Sequence, residues 1–137
     1  MSDLKRFLEA QLRDYATALS EIKTGRKRSH WMWYIFPQID GLGYSDMAKR
    51  YAIKDLAEAT DYLAHPVLGS RLKEITAALL QLPGNNANQV MGSPDDLKLR
   101  SSMTLFALVE GNDSVFDQVL KKFFDGHKDP ATLQLVR

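Results

Sequence analysis

The sequence contains no cysteine. This absence excludes disulfide bonds, thiolate-bound metal ions and a cysteine nucleophile, and a reducing compartment is the simpler expectation. Serine, threonine, histidine, lysine and the carboxylates remain as groups for chemistry. The sequence also lacks a glycine-rich phosphate loop, a nucleophile elbow and zinc-finger spacing. The classes of protein that such motifs identify are therefore excluded.

Long apolar runs are missing as well. An uninterrupted run of seven apolar or aromatic residues, from Trp31 to Pro37, is too short to span a bilayer. The chain begins with a charge-rich amphipathic pattern instead of a leader peptide, so we expect a cytoplasmic protein without a membrane span. Positive and negative charges are nearly balanced, since the sequence has 18 Lys and Arg residues and 17 Asp and Glu residues. The overall field would not attract nucleic acid or an anionic membrane, so any anion site must be local.

Apolar residues at helical spacing occur along nearly the whole chain. In the first segment they recur at steps of three and four, at Leu4, Phe7, Leu8, Leu12, Tyr15, Ala16, Leu19 and Ile22. This pattern predicts a helix over residues 3–23, with Ser2 or Asp3 at its N-terminus and Gly25 at its exit. Capping residues indicate further helix starts at Ser45, at Asp55, in the run Asn112-Asp113-Ser114 and at Asp129, with polar loop material in residues 84–88.

The segment after residue 93 is predicted to form the central helix. It opens with a capping serine, a proline at the first helical position and two carboxylates, in the order Ser93, Pro94, Asp95 and Asp96. Apolar residues then lie around most of the girth, with Leu97, Leu105 and Leu108 placed on one side. We therefore predict the all-α class, as a single helical domain over residues 1–137 with about six to eight helices around a central buried helix near residues 94–110.

Both tryptophans lie in residues 28–38, directly after the basic run of residues 26–28. Ser29 could cap a short helix that begins at His30 and ends before Pro37. Alternation of side chains would also suit a strand buried on both faces. The helix is preferred because the sequence offers no second strand to pair with it. A run this apolar must be covered by the rest of the fold.

The junction between the basic run and the tryptophans is the first candidate site. It consists of Arg26, Lys27, Arg28, Ser29 and His30, followed by the two tryptophans. The cations, with free backbone N–H groups at a helix start, would make an anion site, and Trp31 and Trp33 could stack on a flat ring. A phosphate-bearing, nucleotide-like molecule would bind the positive charge through its phosphate and the tryptophan rings through its flat base. The competing interpretation is a solvated basic connector followed by aromatic residues of the core.

The second candidate site lies on the predicted central helix. Asp95, Lys98 and Ser102 fall on one face at steps of three and four, and Ser101 adds a hydroxyl nearby. Lys98 beside a carboxylate and a hydroxyl could activate the serine as a nucleophile. In the competing interpretation Asp95 complements the helix dipole, Lys98 reaches solvent and the hydroxyls bond to the preceding turn.

Histidine gives little support to a metal site. His30, His65 and His127 are widely separated and no pair has the spacing of zinc ligands on a helix, so no metal or other cofactor is predicted. His65 is interpreted as a partner of the negative end of a helix dipole. His30 is the histidine best placed for acid–base work. The sequence leaves catalysis undecided, and the catalytic candidates are His30, Lys98 and Ser102.

Several motifs together resemble family 1810 of the domains of unknown function, whose largely bacterial members are often mislabelled calpastatin. The runs specific to it are His30-Trp31-Met32-Trp33-Tyr34-Ile35-Phe36-Pro37-Gln38 and Ser101-Ser102-Met103-Thr104-Leu105-Phe106, and the match covers essentially the whole chain. The resemblance implies a small, single-domain, all-helical fold and no established activity. The calpastatin label carries no weight, because the calpain inhibitor of that name is a disordered polar chain, whereas this sequence has a helical core pattern at nearly every segment.

Two classes of function follow. The first is a cytoplasmic domain that binds a phosphate-bearing or nucleotide-like small molecule in a pocket between residues 28–38 and 93–104. Its predicted ligand-binding residues are Arg28, His30, Trp31, Trp33, Arg71, Asp95, Lys98, Ser101 and Ser102. The second is a non-catalytic protein-interaction module, as a monomer or a homodimer. Nucleic-acid binding through residues 26–33 is the weakest alternative, because the remaining charge is balanced.

Overall fold

A buried helix lies at the centre of the molecule, and four other helices pack directly against it. The structure is a computed structural model that describes residues 3–136. Nine helices form in these residues: α1 (Lys5–Lys23), α2 (Met32–Ile35), α3 (Asp46–Arg50), α4 (Leu56–Ala64), α5 (Leu68–Leu80), α6 (Ala87–Met91), α7 (Asp95–Glu110), α8 (Val115–Phe124) and α9 (Pro130–Leu135). The same residues contain no strand, only an isolated bridge between Ile39 and Ile53. The all-α prediction is confirmed.

Helix α7 is the central buried helix that the sequence predicts. It contacts α4, α6, α8 and α9, and every residue from 101 to 107 is buried. The Phe106 ring lies 5.5 Å from the ring of Tyr62 and 5.7 Å from that of Phe116, so it joins three helices. These rings belong to a connected cluster of buried apolar side chains.

The predicted apolar side of α7 needs a correction. Leu105 is buried, but Leu97 is 59% exposed and Leu108 also faces solvent. At roughly 100° per residue, Leu97 and Leu108 project only about 20° apart, whereas Leu105 projects at least about 60° from both. The three leucines therefore do not share one side of the helix, and only Leu105 points into the core.

Helix α1 is amphipathic as predicted, with a different buried set. Leu12 and Ala16 are exposed, whereas Gln11 is buried. Burying the Gln11 amide is tolerated because its nitrogen donates to the Tyr34 carbonyl at 2.8 Å and the Tyr62 hydroxyl at 2.9 Å.

The ends of α1 follow the prediction in part. The Asp3 carboxylate accepts from the backbone N–H of Lys5 at 3.0 Å, although Leu4 holds the cap position. Ser2 lies outside the described residues. Gly25, with φ of 87°, provides the predicted exit.

The aromatic segment contains a helix, and the strand alternative is wrong. Helix α2 starts two residues later than predicted, and Ser29 does not cap it, because the Ser29 hydroxyl donates to Glu21 at 2.6 Å. The predicted cap of α7 is also wrong, since Pro94 holds the cap position and its side chain accepts no hydrogen bond. Ser29 has a distant partner in Glu21, whereas the Ser93 side chain makes no hydrogen bond with the described residues.

The other predicted caps are confirmed. The side chains of Ser45, Asp55, Ser114 and Asp129 each accept a hydrogen bond from a backbone N–H in the first turn of the helix that follows. Helix α6 is an addition, because its first residues fall in the predicted polar loop and Asn86 caps it through the N–H of Gln89. This short helix brings the number in the described residues to nine, above the predicted six to eight.

Candidate functional site

One carboxylate of α1 holds the loop of residues 24–31. Oε1 of Glu21 accepts from the backbone N–H groups of Arg28 (2.7 Å) and Ser29 (2.9 Å) and from the indole N–H of Trp31 (2.9 Å). Burial raises the pKa of Glu21, but the hydrogen bonds from Ser29, Arg28 and Trp31 favour the charged form, outweigh burial and lower the pKa to about 2. The ionised carboxylate therefore fixes the position of Arg28 and its neighbours.

Lys27 ties the same loop to α6 and α7. Its backbone N–H donates to the Val90 carbonyl at 2.7 Å, and its side chain is only 7% exposed. The Lys27 Nζ lies 2.9 Å from Oδ2 of Asp95 and 4.9 Å from the centroid of the Trp31 ring. A shielded ion pair of this kind is costly to break from one side, so the loop and the start of α7 are held together.

A cleft opens between the loop and the start of α7. It has a volume of about 360 Å³, and we call it the basic cleft; its walls are residues 27–30, Met32, Trp33 and residues 93–95. Arg28 and His30 are exposed there, and their side chains make no hydrogen bond or ion pair with the described part of the chain. The structure therefore brings Arg28, His30, Trp33 and Asp95 to one concavity.

Lys98 stands at the edge of this cleft. Its Nζ is 3.7 Å from Oδ1 of Asp95 and 5.5 Å from the centroid of the Trp33 ring. Since Asp95 is already paired with Lys27 at 2.9 Å, the longer contact to Lys98 is the weaker of the two. Lys98 thus retains donor capacity next to the cleft.

The remaining predicted site residues lie elsewhere. Trp31 is buried in the core beneath the loop. The Ser101 hydroxyl donates to Asp129 at 2.9 Å, on the side of α7 that meets α9. Ser102 is fully buried, and its hydroxyl has no hydrogen-bond partner in the described residues. Neither serine lines the basic cleft.

Arg71 is also separate from the cleft. Its guanidinium lies over the Tyr15 ring at 5.3 Å and donates to the Gln11 side chain at 3.4 Å, so it braces α1 against α5. It is absent from the cleft walls.

The histidines do not converge. Nδ1 of His65 accepts from the backbone N–H groups of Val67 (3.1 Å) and Leu68 (3.2 Å). His65 therefore binds backbone N–H groups at the start of α5, whereas the sequence predicted an interaction with the negative end of the preceding helix dipole. Within residues 3–136 no group of three or more histidine or carboxylate side chains is placed to hold a metal ion.

Comparison with known proteins decides the family. The model of a family described as "Protein of unknown function (DUF1810)" matches residues 1–136. The chain belongs to the DUF1810 family. A solved structure of a conserved hypothetical protein from Mycobacterium tuberculosis is similar, with 47% sequence identity and a TM-score of 0.95, and the match covers 98% of this chain and 96% of that chain. Comparison with curated proteins gives no match.

In this DUF1810 chain the sequence did not reveal the role of two residues that support the cleft. Glu21 looks like an ordinary surface charge on an amphipathic helix, and Lys27 was predicted as one of the cations of the first candidate site, whereas the structure pairs it with Asp95. Glu21 and Lys27 are six residues apart across the C-terminal end of α1, and this spacing does not indicate their role.

None of the described helices is long and apolar enough to cross a membrane.

Proposed function

We propose that the basic cleft binds a small anionic molecule that carries a phosphate or a similar group. The observation that carries this proposal is the pair of uncommitted side chains, Arg28 and His30, in one concavity. Guanidinium and imidazole groups are well suited to bind phosphate oxygens, and the planar guanidinium can contact two of them at once.

The charge balance of the cleft supports an anion. Asp95 is the one carboxylate among the described residues of its walls, and Lys27 already neutralises it. The positive charge of Arg28 is left over, and Lys98 adds a second cation at the rim. The volume of about 360 Å³ falls within the usual range of small-ligand pockets, which starts near roughly 300 Å³.

Isothermal titration of the full chain with orthophosphate, pyrophosphate and a set of phosphorylated metabolites tests the proposal. We expect Arg28→Gln and His30→Gln to weaken binding by about tenfold or more, because each removes about 1.5 kcal/mol or more of charge-assisted hydrogen bonding. Matched controls are Arg26→Gln, from the same basic run but outside the cleft walls, and His127→Gln. No binding of any phosphate compound, or equal effects of Arg28→Gln and Arg26→Gln, would overturn it.

A further inference from the structure

A second cavity shares Trp33 with the basic cleft. It has a volume of about 260 Å³, and we call it the loop cavity; it is bordered by Trp33, Gln38, Ile39, residues 41–45, Ala48, residues 51–52 and Lys98. The Trp33 side chain is thus a wall of both cavities. Lys98 of the loop cavity and Asp95 of the basic cleft are within 3.7 Å of each other. The two cavities therefore adjoin at Trp33 and at the contact between Lys98 and Asp95.

The loop cavity differs chemically from the basic cleft. Lys98 is the one charged side chain among its described wall residues, and most of the rest is apolar or aromatic. The Gln38 side chain has no hydrogen-bond partner in residues 3–136, and Tyr44, at the mouth, is 83% exposed. A flat indole wall with a free amide and a phenol suits a flat ring that carries polar atoms on its edge.

The glycines of this cavity do not indicate a phosphate loop. A Cβ added to Gly41 would lie 3.0 Å from the Leu135 side chain, and one added to Gly43 would lie 2.7 Å from the Ala48 Cβ. Internal packing therefore accounts for both glycines. The phosphate group is better served by Arg28 and His30 in the neighbouring cleft.

Lys98 connects the two cavities. Its ammonium is held by the Trp33 ring and by the long contact to Asp95, a carboxylate that the shielded Lys27 already satisfies. A phosphate in the basic cleft would therefore compete well for Lys98. The lysine would then contact the molecule at the point where its phosphate joins its ring-bearing part.

We infer that the two cavities form one bipartite site for a phosphate ester of a flat-ring compound, of the size of a nucleoside monophosphate. The phosphate binds Arg28 and His30, Lys98 binds at the junction, and the ring occupies the loop cavity between Trp33, Gln38 and Tyr44. This inference rests on the proposed function of the basic cleft.

Isothermal titration of the full chain with orthophosphate, a nucleoside and the matching nucleoside monophosphate tests the inference, with a purine and a pyrimidine series. We expect the monophosphate to bind at least about tenfold tighter than orthophosphate. Tyr44→Ala and Gln38→Ala should weaken the monophosphate by about tenfold and leave orthophosphate unchanged, whereas Arg28→Gln should weaken both. Leu12→Ala, which removes an equally exposed side chain of α1 that lines neither cavity, is the control.

The two proposals fail in different ways. If orthophosphate binds through Arg28 but neither monophosphate is tighter, or if both loop-cavity variants behave as wild type, the bipartite site is wrong and the anion cleft stands. If a nucleoside binds through Tyr44 while Arg28→Gln has no effect on any compound, both proposals are overturned. Circular dichroism and the melting temperature of each variant establish that a lost affinity is not lost folding.

Discussion

Glu21 is the residue on which the shape of the basic cleft depends most. It accepts four hydrogen bonds from three residues of one loop, and no other side chain of the described chain supports that loop from α1 in this way. Hydrogen bonds to a charged acceptor are stronger than those between neutral groups. Its contribution to stability is therefore tied to its ionisation.

The pH dependence of Glu21→Gln follows from this. Because the folded pKa of about 2 lies below the ordinary value of 4.5, the ionised group stabilises the fold above about pH 4.5 and loses that effect as the pH falls toward 2. We expect the variant to lower the free energy of unfolding by about 2 kcal/mol at pH 7, measured by urea denaturation, and by much less at pH 2.5. Glu9→Gln, an exposed residue of the same helix, should have little effect at either pH. A deficit of equal size at both pH values would contradict this account.

Part of the candidate site could be predicted at this scale. Arg28, His30 and Trp33 were selected because their residue types suit an anion and a ring. The structure places them around one cleft together with Asp95, which was selected from its spacing along the central helix. Ser101 and Ser102 were selected from their positions on the central helix, and Arg71 was a further predicted ligand-binding residue. Ser101 and Arg71 bond to other parts of the fold, and Ser102 is buried without a hydrogen-bond partner in the described residues. Spacing along a helix gives a face, but it does not say which neighbouring helix that face meets.

At the scale of helices, α4 and α5 approach each other very closely at Gly69. A Cβ added to Gly69 would lie 2.0 Å from the carbonyl oxygen of Leu63, which is closer than any side chain allows. Gly69 is buried, and its N–H donates to the His65 carbonyl at 2.9 Å. The pair can pack only because this position has no side chain.

Gly69→Ala should therefore push the two helices apart. We expect a loss of about 3 kcal/mol or more in the free energy of unfolding, measured by chemical denaturation. Gly84→Ala is the matched control, since nothing lies within 4 Å of the added Cβ and its φ is not positive. That variant should be neutral or more stable by up to about 1 kcal/mol, because alanine restricts the unfolded chain. Equal stability of the two variants would refute the close approach.

The sequence predicted helix starts well where the cap bonds locally. Ser45, Asp55, Ser114 and Asp129 each bond to an N–H three residues ahead, so the pattern and the contact coincide. Ser29 fails because Glu21, eight residues earlier, offers its hydroxyl a charged acceptor. A local sequence pattern does not show partners that are distant along the chain. For the same reason the ion pair of Lys27 with Asp95 was not predicted.

For the whole molecule, stability is concentrated around α7. Its middle is enclosed on all sides, and aromatic rings from α4 and α8 meet on Phe106. The class and the identity of this central helix were predictable, because apolar residues around the full girth of a helix require burial on every side. The exposure of residues near its two ends was not predictable, because a few leucines near a terminus do not reveal where the surrounding helices stop.

Two leucine variants of α7 measure this difference. Leu105→Ala should lower the free energy of unfolding by about 2–5 kcal/mol, because it leaves a cavity in a fully buried position. Leu97→Ala, the same change at a 59% exposed position, should stay within about 0.5 kcal/mol of wild type. Urea midpoints at an unchanged denaturant slope are the measurement. Similar losses for both would mean that α7 is not the centre of the core.

The two tryptophans of the chain should differ in how their fluorescence responds to a bound molecule. Trp31 is shielded and its indole N–H is bonded to a carboxylate, whereas Trp33 is partly exposed and forms a wall of both cavities. The tryptophan fluorescence of the native protein therefore has two parts. Trp31 contributes a constant background, and Trp33 contributes a signal that changes when a molecule enters the basic cleft or the loop cavity. The molecule carries its own unlabelled reporter of occupancy.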